Sequence, residues 1–458
     1  MLEASPFRGI RYNQRIVGDL AQVLCPPYDV ITPELRQLLY NKSDYNAVRL
    51  ESPADGLEPT EDSYQRASIT FQDWRQRGVL QLDTSSSFYL HDHHFEYAGQ
   101  KRVRRGLVAR IKLEPWGSGI YPHEETFPKA KSDRLQLMRA CRANFSPVLS
   151  LYQDSEREAA RILSEASRAK PTIEISLPSS STGVSPDEGS EAHTLWAITD
   201  PETKLQLTRF LSSQRLYVAD GHHRYETALA YQQERTQAQS DSCKLPGDGF
   251  HYVMMELVDF SDPGLVVLPV HRLVRGMASS ALAALQRQLE HFFALEFVSL
   301  SEGFFAPGDS QPLSLSVITT KSTTNGKQSD RHQDIISGIL GLHAGALVLL
   351  RRRQDISLDD MMPDNRSGAY REFGVSILNH IILDKMLGIT SKEDVVYTVD
   401  WKAAYQQIKE GKYQLAFLMN PPQPEMIKAI AGAQDRMPAK STYFHPKLPA
   451  GLIINPLD

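Results

Sequence analysis

"YVADGHHRYETALAY", Tyr217–Tyr231, decides how the chain is read. An apolar run gives way at Asp220-Gly221 to His222-His223-Arg224 and then to an alanine-rich stretch of helical period, so a strand turns directly into a helix. The preceding "RLYVA" is the strand, and the helix is expected to run to about Gln237. A helix start leaves backbone N–H groups unpaired and carries partial positive charge, so such a joint attracts anions, phosphates above all. Gly221 lets the backbone turn sharply and meet a ligand closely. Arg224 falls in the first turn, where its planar fork suits two phosphate oxygens, and His222 and His223 add donors. Asp220, Gly221, His222, His223 and Arg224 are therefore the expected nucleotide- or phosphate-binding residues. Glu226 stands four residues after His222 and shares its face, which makes it a candidate metal ligand. The plain alternative is a turn followed by a solvated first helical turn. Three consecutive long polar side chains at an anion-attracting end favour the functional reading.

Familiar phosphate and hydrolase signatures are absent. There is no G-x-x-x-x-G-K-[ST], no G-x-G-x-x-G and no G-x-S-x-G. His123-Glu124 opens like a zinc-peptidase helix, but the second histidine would fall at Phe127. A second polar cluster, Tyr121–Pro147, reads "YPHEETFPKAKSDRLQLMRACRANFSP". His123 and Glu124 offer a base and a carboxylate, and Lys131 and Arg134 offer cations. In "AQVLCPPYDVITPE", two prolines stiffen the backbone and hold Tyr28 and Asp29 in fixed directions. Glu124, His123, Asp29, Lys131 and Arg134 are the candidate catalytic residues. In "LHDHHF", His91 and His93 share one strand face and His94 the other, and two ligands fall short of the three or four a metal needs. The basic runs Lys101–Arg105 and Arg351–Arg353 read as solvated strand ends without the aromatic interleaving of a single-strand binder.

At 458 residues the chain is expected to form two or three compact units or one large elaborated one. Apolar content of 41% and charged content of 23% are those of a globular protein. A net charge of −5 and a pI of about 6.3 lack the basic bias of a phosphate-backbone binder, which disfavours nucleic acid. Cys25, Cys141 and Cys243 have no C-x-x-C spacing, so a reducing cytoplasm fits best and no cysteine zinc site is indicated. The start, "MLEASPFRGIRYN", has no apolar signal region, and no stretch approaches the ~18 apolar residues that would span a bilayer.

Strand-like and helix-like signals alternate. "SFYLHDHHFEY" and "VRRGLVARIKL" form a β-hairpin around Ala98-Gly99-Gln100, "KSDRLQLMRACRANF" reads as a helix, and "HYVMMELVDF" as a strand. Farther on, "SALAALQRQLEHFF" and "REFGVSILNHIILDKML" read as helices, "GALVLLRR" and "QLAFLMN" as strands. The class is α/β or α+β. A boundary near Arg275 divides residues 1–275, with the phosphate joint, from a mixed α/β half at 276–458. Polar stretches at 177–194 and 319–333 read as surface loops.

"CPPYDVI", "PHEETFPKAKSDRLQLMRACRANFSPV", "VADGHHRYETAL", "LPVHRLV" and "MPAKSTYFHPKLPAGLIINPL" together resemble a widespread prokaryotic family catalogued as a domain of unknown function, numbered ten-fifteen. The Asp-Gly-His-His-Arg joint is in turn similar to the phosphate-binding motif of the ParB and sulfiredoxin superfamily, which includes ATP- or ADP-dependent free serine kinases and CTP-binding partition proteins. That likeness implies a ParB/sulfiredoxin-like core with nucleotide phosphates over the helix start, contacted by Gly221, His222 and Arg224. The chain departs from that superfamily in the length ahead of the motif, so no catalytic acids are carried over.

The expected function is a nucleotide-dependent phosphotransferase acting on a small polar metabolite such as a hydroxy amino acid. ATP or ADP and Mg2+ are the expected cofactors; Glu124, Asp29 or Glu226 would hold the metal or take the hydroxyl proton, and Lys131 or Arg134 would steady the transferring group. A nucleotide sensor without turnover and a hydrolase using the same polar cluster are the alternatives. The expected partners are a nucleotide and a small-molecule substrate, with no membrane, and a homo-oligomer is left open.

Overall fold

The hairpin around Ala98-Gly99 lies inside the largest sheet of the molecule. The computed structural model describes residues 1–53, 60–177, 190–240, 248–300, 335–389 and 394–458. The polar stretch 319–333, most of 177–194, and Cys243 lie outside the described residues. The chain divides into two units. The first comprises Met1–Pro122, Thr126–Val266 and Pro446–Asp458; the second comprises His123–Glu125 and Val267–His445.

Among the described residues of the first unit, nine strands form one mixed sheet. They are β1 (Ala4–Ser5), β2 (Phe88–Tyr97), β3 (Gln100–Lys112), β4 (Ile120–Pro122), β5 (Val148–Tyr152), β6 (Ile173–Leu177), β7 (Glu191–Ile198), β8 (Leu216–Asp220) and β9 (Tyr252–Asp259). Their order is β4–β8–β5–β9–β3–β2–β7–β6, with β1 also on β3. The pairs β4–β8 and β5–β9 are parallel and the other neighbours antiparallel. Ala98 and Gly99 both take positive φ, 55° and 70°, which matches the twist of a two-residue hairpin turn.

Both faces of this sheet are covered, and the period-2 pattern of the strands assigns side chains to two cores. Phe88, Leu90, Leu107, Val218 and Met255 enter one, while Tyr89, Val108, Leu195 and Met254 enter the other. Three helices matter for the site: α1 (Glu61–Gln76), α2 (Pro128–Cys141) and α3 (His222–Ser240). The second of them begins three residues earlier than its period indicates, because Pro128 is pre-set for the first helical turn, and it ends where Arg142 turns left-handed at φ 49°. It packs between α1 and α3. Cys25 and Cys141 are buried free thiols.

The second unit has its own six-stranded sheet among the described residues. Its strands are β10 (His271–Val274), β11 (Phe293–Ser299), β12 (Ile335–His343), β13 (Ala346–Arg352), β14 (Val395–Thr398) and β15 (Leu415–Met419), in the order β11–β13–β12–β15–β10–β14. Leu273, Leu347, Leu349, Ala416 and Leu418 form its core with Ala404. The stretch 371–387, expected as one helix, is split. Phe373 is extended (φ −71°, ψ 125°), and Leu378–Met386 winds as a wider π-helix with Leu378, Ile381, Ile382, Leu383 and Met386 buried. An apolar run buried over so much of its circumference has no single stripe to hold it to one regular α-helix. The chain is thus mixed α/β in both units, and no helix of the described residues is long and apolar enough to cross a membrane.

Candidate functional site

At the end of β8 the register against β5 shifts between Val218 and Asp220, a bulge that re-aims the terminal carboxylate. Gly221 follows at φ +91°, a conformation L side chains rarely adopt, and α3 begins at His222. Arg224, in its first turn, folds back over that glycine. Its Nη2 donates to Asp220 Oδ2 at 2.6 Å and its Nη1 to the Pro147 carbonyl at 2.5 Å, while its buried Nε has no hydrogen-bond partner among the described residues. A Cβ on Gly221 would lie 2.8 Å from both Nε and Nη2. We therefore expect Gly221→Ala to destabilise the first unit by ~1–3 kcal/mol, from backbone strain and displacement of the guanidinium. Urea denaturation measures it, and an unchanged midpoint would show that the turn tolerates a side chain.

The other Asp220 oxygen, Oδ1, accepts from Lys447 Nζ, which also lies 3.8 Å from Asp29 Oδ2. Burial pushes the Asp220 carboxyl upward, but Lys447 and then Arg224 outweigh it and hold the group well below the ordinary carboxylate range. Asp29 sits in a short 3-10 turn, Tyr28–Val30, after Pro26-Pro27, and its side chain is 36% exposed. Tyr28, directly after the two prolines, receives the Arg134 guanidinium over its ring at 4.1 Å.

Arg134 is otherwise taken up by its neighbours. It pairs with Asp133 at 2.6 Å and donates to the Glu51 carbonyl at 2.7 Å. Between Arg134 and Arg224 lies a cavity of about 40 Å³ lined also by Glu51, Asn144, Ser146 and Phe145. Burial raises the Glu51 pKa, against the pull of Arg134 and Arg224, and its Oε1 accepts from Ser146 Oγ at 2.9 Å.

On the opposite flank of the helix start, Glu226 ties α3 to the beginning of α2. Its Oε2 accepts from Thr126 Oγ1 at 2.6 Å and Lys131 Nζ at 2.9 Å, and its Oε1 from Trp116 Nε1 at 3.2 Å. A metal at Glu226 would have to displace the Lys131 cation, so the expected metal role has no geometric support and Lys131 is bound to the carboxylate. His223 Nε2 accepts from the Phe127 N–H at 2.8 Å, so that nitrogen cannot donate to a phosphate. His222 is buried, with the Trp116 ring 6.5 Å away.

His123 and Glu124 belong to the second unit. The His123 carbonyl accepts from Met437 N at 2.7 Å, and its Nε2 meets Thr442 Oγ1 at 2.9 Å. Glu124 Oε1 accepts from Lys440 N at 2.5 Å. Buried Arg272 donates to the Lys440 carbonyl at 2.9 Å, and burial lowers its pKa to about 10, partly offset by Tyr397 and Glu124.

The sequence model of a family described as "protein of unknown function (DUF1015)" matches residues 4–355. The chain belongs to that family. No curated protein matches it. Among solved structures it is similar to a conserved hypothetical protein from Pyrococcus furiosus, at 12% identity and TM-score 0.31, covering 72% of this chain and 90% of that one. Free serine kinase in complex with AMP aligns at 11% identity and TM-score 0.31 over 71% and 83% of the two chains. SbnI with a C-terminal truncation, from Staphylococcus aureus, aligns at 10% identity and 0.31 over 74% and 84%.

Within this family member, then, the first unit gathers Asp29, Lys131, Arg134, Asp220–Arg224 and Glu226 around one helix start: Asp29 and Lys447 with the Asp220–Arg224 pair, Lys131 with Glu226, and Arg134 with Asp133 and Glu51. Lys447 and Glu51 are the members that sequence reasoning did not name. Lys447 had a signal, since it lies in the closing motif "PKLPAG" between two prolines. Glu51 had none, being one carboxylate in an ordinary helical turn.

Proposed function

We propose that the protein is a nucleotide-dependent phosphotransferase acting on a small polar metabolite such as a hydroxy amino acid. The observation that carries this reading is the joint itself: a left-handed glycine leads into a nineteen-residue helix whose first-turn amides stand beside Lys447 and a carboxylate already neutralised by two cations. A negative Asp220 left unpaired there would repel phosphate; paired with Lys447 and Arg224 it does not. In this reading the α3 backbone amides hold the phosphates, Arg224 shapes the turn rather than forking two oxygens, and Lys447 supplies positive charge where the transferred group passes. Asp29 is the partly exposed carboxylate beside Lys447, suited to a hard cation or to the proton of an attacking hydroxyl. Mg2+, when bound, would neutralise phosphate charge.

Calorimetry with ATP and ADP, with and without Mg2+, tests the reading: at least one should bind with a sub-millimolar dissociation constant. No heat and no shift in melting temperature at several millimolar nucleotide would overturn it. A nucleotide sensor without turnover is the second reading, favoured because Arg134, Arg224 and Glu226 are each closed on internal partners. Tight nucleotide binding with no phosphorylated product from a pool of hydroxylated metabolites would select it.

A further inference from the structure

Far along the same sheet from the helix joint, five ionisable side chains face one another in the protein interior. His91 and His93 project from β2, Glu191 and His193 from β7, and Glu256 from β9, all on the Tyr89 side of the sheet. The three histidines are at most 1% exposed and the two glutamates at most 7%. The register places His193 directly beside His93, with ring centroids 4.2 Å apart. Gly106, opposite His91, is what lets Glu256 reach across: a Cβ there would lie 2.5 Å from Glu256 Oε1.

With Glu256 as the acceptor, one series of tautomers satisfies the hydrogen bonds. Glu256 Oε2 lies 2.9 Å from His91 Nδ1, so that nitrogen carries the proton and donates it. His91 Nε2 is then an acceptor, and His193 Nδ1, 3.0 Å away, is its donor. This leaves the lone pair on His193 Nε2, which is buried and has no hydrogen-bond partner among the described residues. A carboxylate, an imidazole and a second imidazole in series form the usual support of a metal-ligating histidine, extended by one residue. An unfilled buried acceptor is unfavourable, so something that binds there is favoured.

We propose that the first unit holds a divalent transition-metal ion of the zinc type between His93, Glu191 and His193. One ligand atom from each lies within 4.8 Å of the others, and two imidazoles with a carboxylate are a zinc-type donor set. His93 Nε2 lies 2.8 Å from Glu191 Oε2, the contact an ion would enter. Arg104, whose Nη2 approaches His93 Nδ1 at 3.2 Å, opposes a cation there. Its charge is met by Glu256 and Asp262 besides Glu191, and the first two remain to it when Glu191 is given to the ion and the His93 proton moves to Nδ1. The ion would bridge β2 to β7, and its binding does not depend on any nucleotide chemistry.

Because the ligands are buried, the ion enters as the chain folds, and the test follows that route. The full-length protein is unfolded in denaturant with chelator, then refolded with ZnCl2 or without metal, and its metal content and melting temperature are measured. Uptake of one zinc per chain and a raised melting temperature are expected; His193→Gln abolishes uptake. His91→Ala weakens it ~10- to 100-fold through loss of the supporting hydrogen bond. His94→Ala, on the opposite face, leaves it unchanged. Refolded wild type without stoichiometric zinc, or uptake undiminished in His193→Gln, overturns the proposal. If His193→Gln does not refold, Co2+ replaces zinc. Ligand-field bands in the wild type that are lost in Glu191→Gln support the site, and identical spectra refute it.

Discussion

Replacing Lys447 by methionine is expected to destabilise the first unit by ~3–5 kcal/mol, the cost of leaving a largely buried carboxylate with one partner fewer. Methionine keeps the length and apolar stem of the side chain, so the change reports on charge more than packing. Lys447 and Asp220 are both under a fifth exposed, and the second cation, Arg224, divides its donors between Asp220 and Pro147. Hydrogen exchange of the Leu216–Asp220 amides, read with urea denaturation, measures the loss; a change under ~1 kcal/mol would mean that Arg224 alone suffices. The pH dependence has a definite sign. Asp220 has a folded-state pKa below its unfolded value near ~3.9, so its stabilisation is full above that value and is lost as pH falls through the folded one. The gap between wild type and Lys447→Met should therefore be widest above about pH 5 and close in stronger acid.

Asp29→Asn is expected to lower phosphotransfer by ~100-fold or more while leaving the fold intact, as for loss of a general base or metal carboxylate. The substitution keeps the size of the side chain, and its exposed position next to Lys447 asks little of packing. Nucleotide affinity measured without Mg2+ should persist. A fall confined to measurements with Mg2+ would assign Asp29 to the metal, and a fall in turnover alone would assign it to the proton. Mass spectrometry of products formed from ATP and hydroxylated metabolites provides the readout, and equal product from both proteins removes Asp29 from the mechanism.

Local pattern made the joint at Asp220-Gly221 and the hairpin readable, because each is written in a short window: a glycine, a change of period, and turn residues between alternating strands. Residue types at the joint were legible too, whereas their pairing was not. Arg224 bends back to Asp220 in its own turn, and Lys447 arrives from 227 positions away, a distance over which no periodicity carries information. The histidine run gives the same lesson in reverse. Counted along one strand, His91 and His93 are only two imidazoles; the third of the cluster comes from β7, whose register with β2 exists only in the folded sheet. The broken helix at 371–387 escaped because apolar content without a stripe does not distinguish one kind of turn from another.

The first unit is completed by Pro446–Asp458: Lys447 reaches Asp220, Ile454 exchanges backbone hydrogen bonds with Ile10, and Asn455 pairs with Asn144. On a ribosome this sets a waiting time. Val266 leaves the tunnel with the sheet's strands already made, yet the intervening stretch to His445 takes roughly 10–40 s to synthesise at ordinary elongation rates. During that interval the Asp220 carboxylate lacks its lysine and the Ile10 edge its partner, so the first unit stands incomplete until the closing segment arrives.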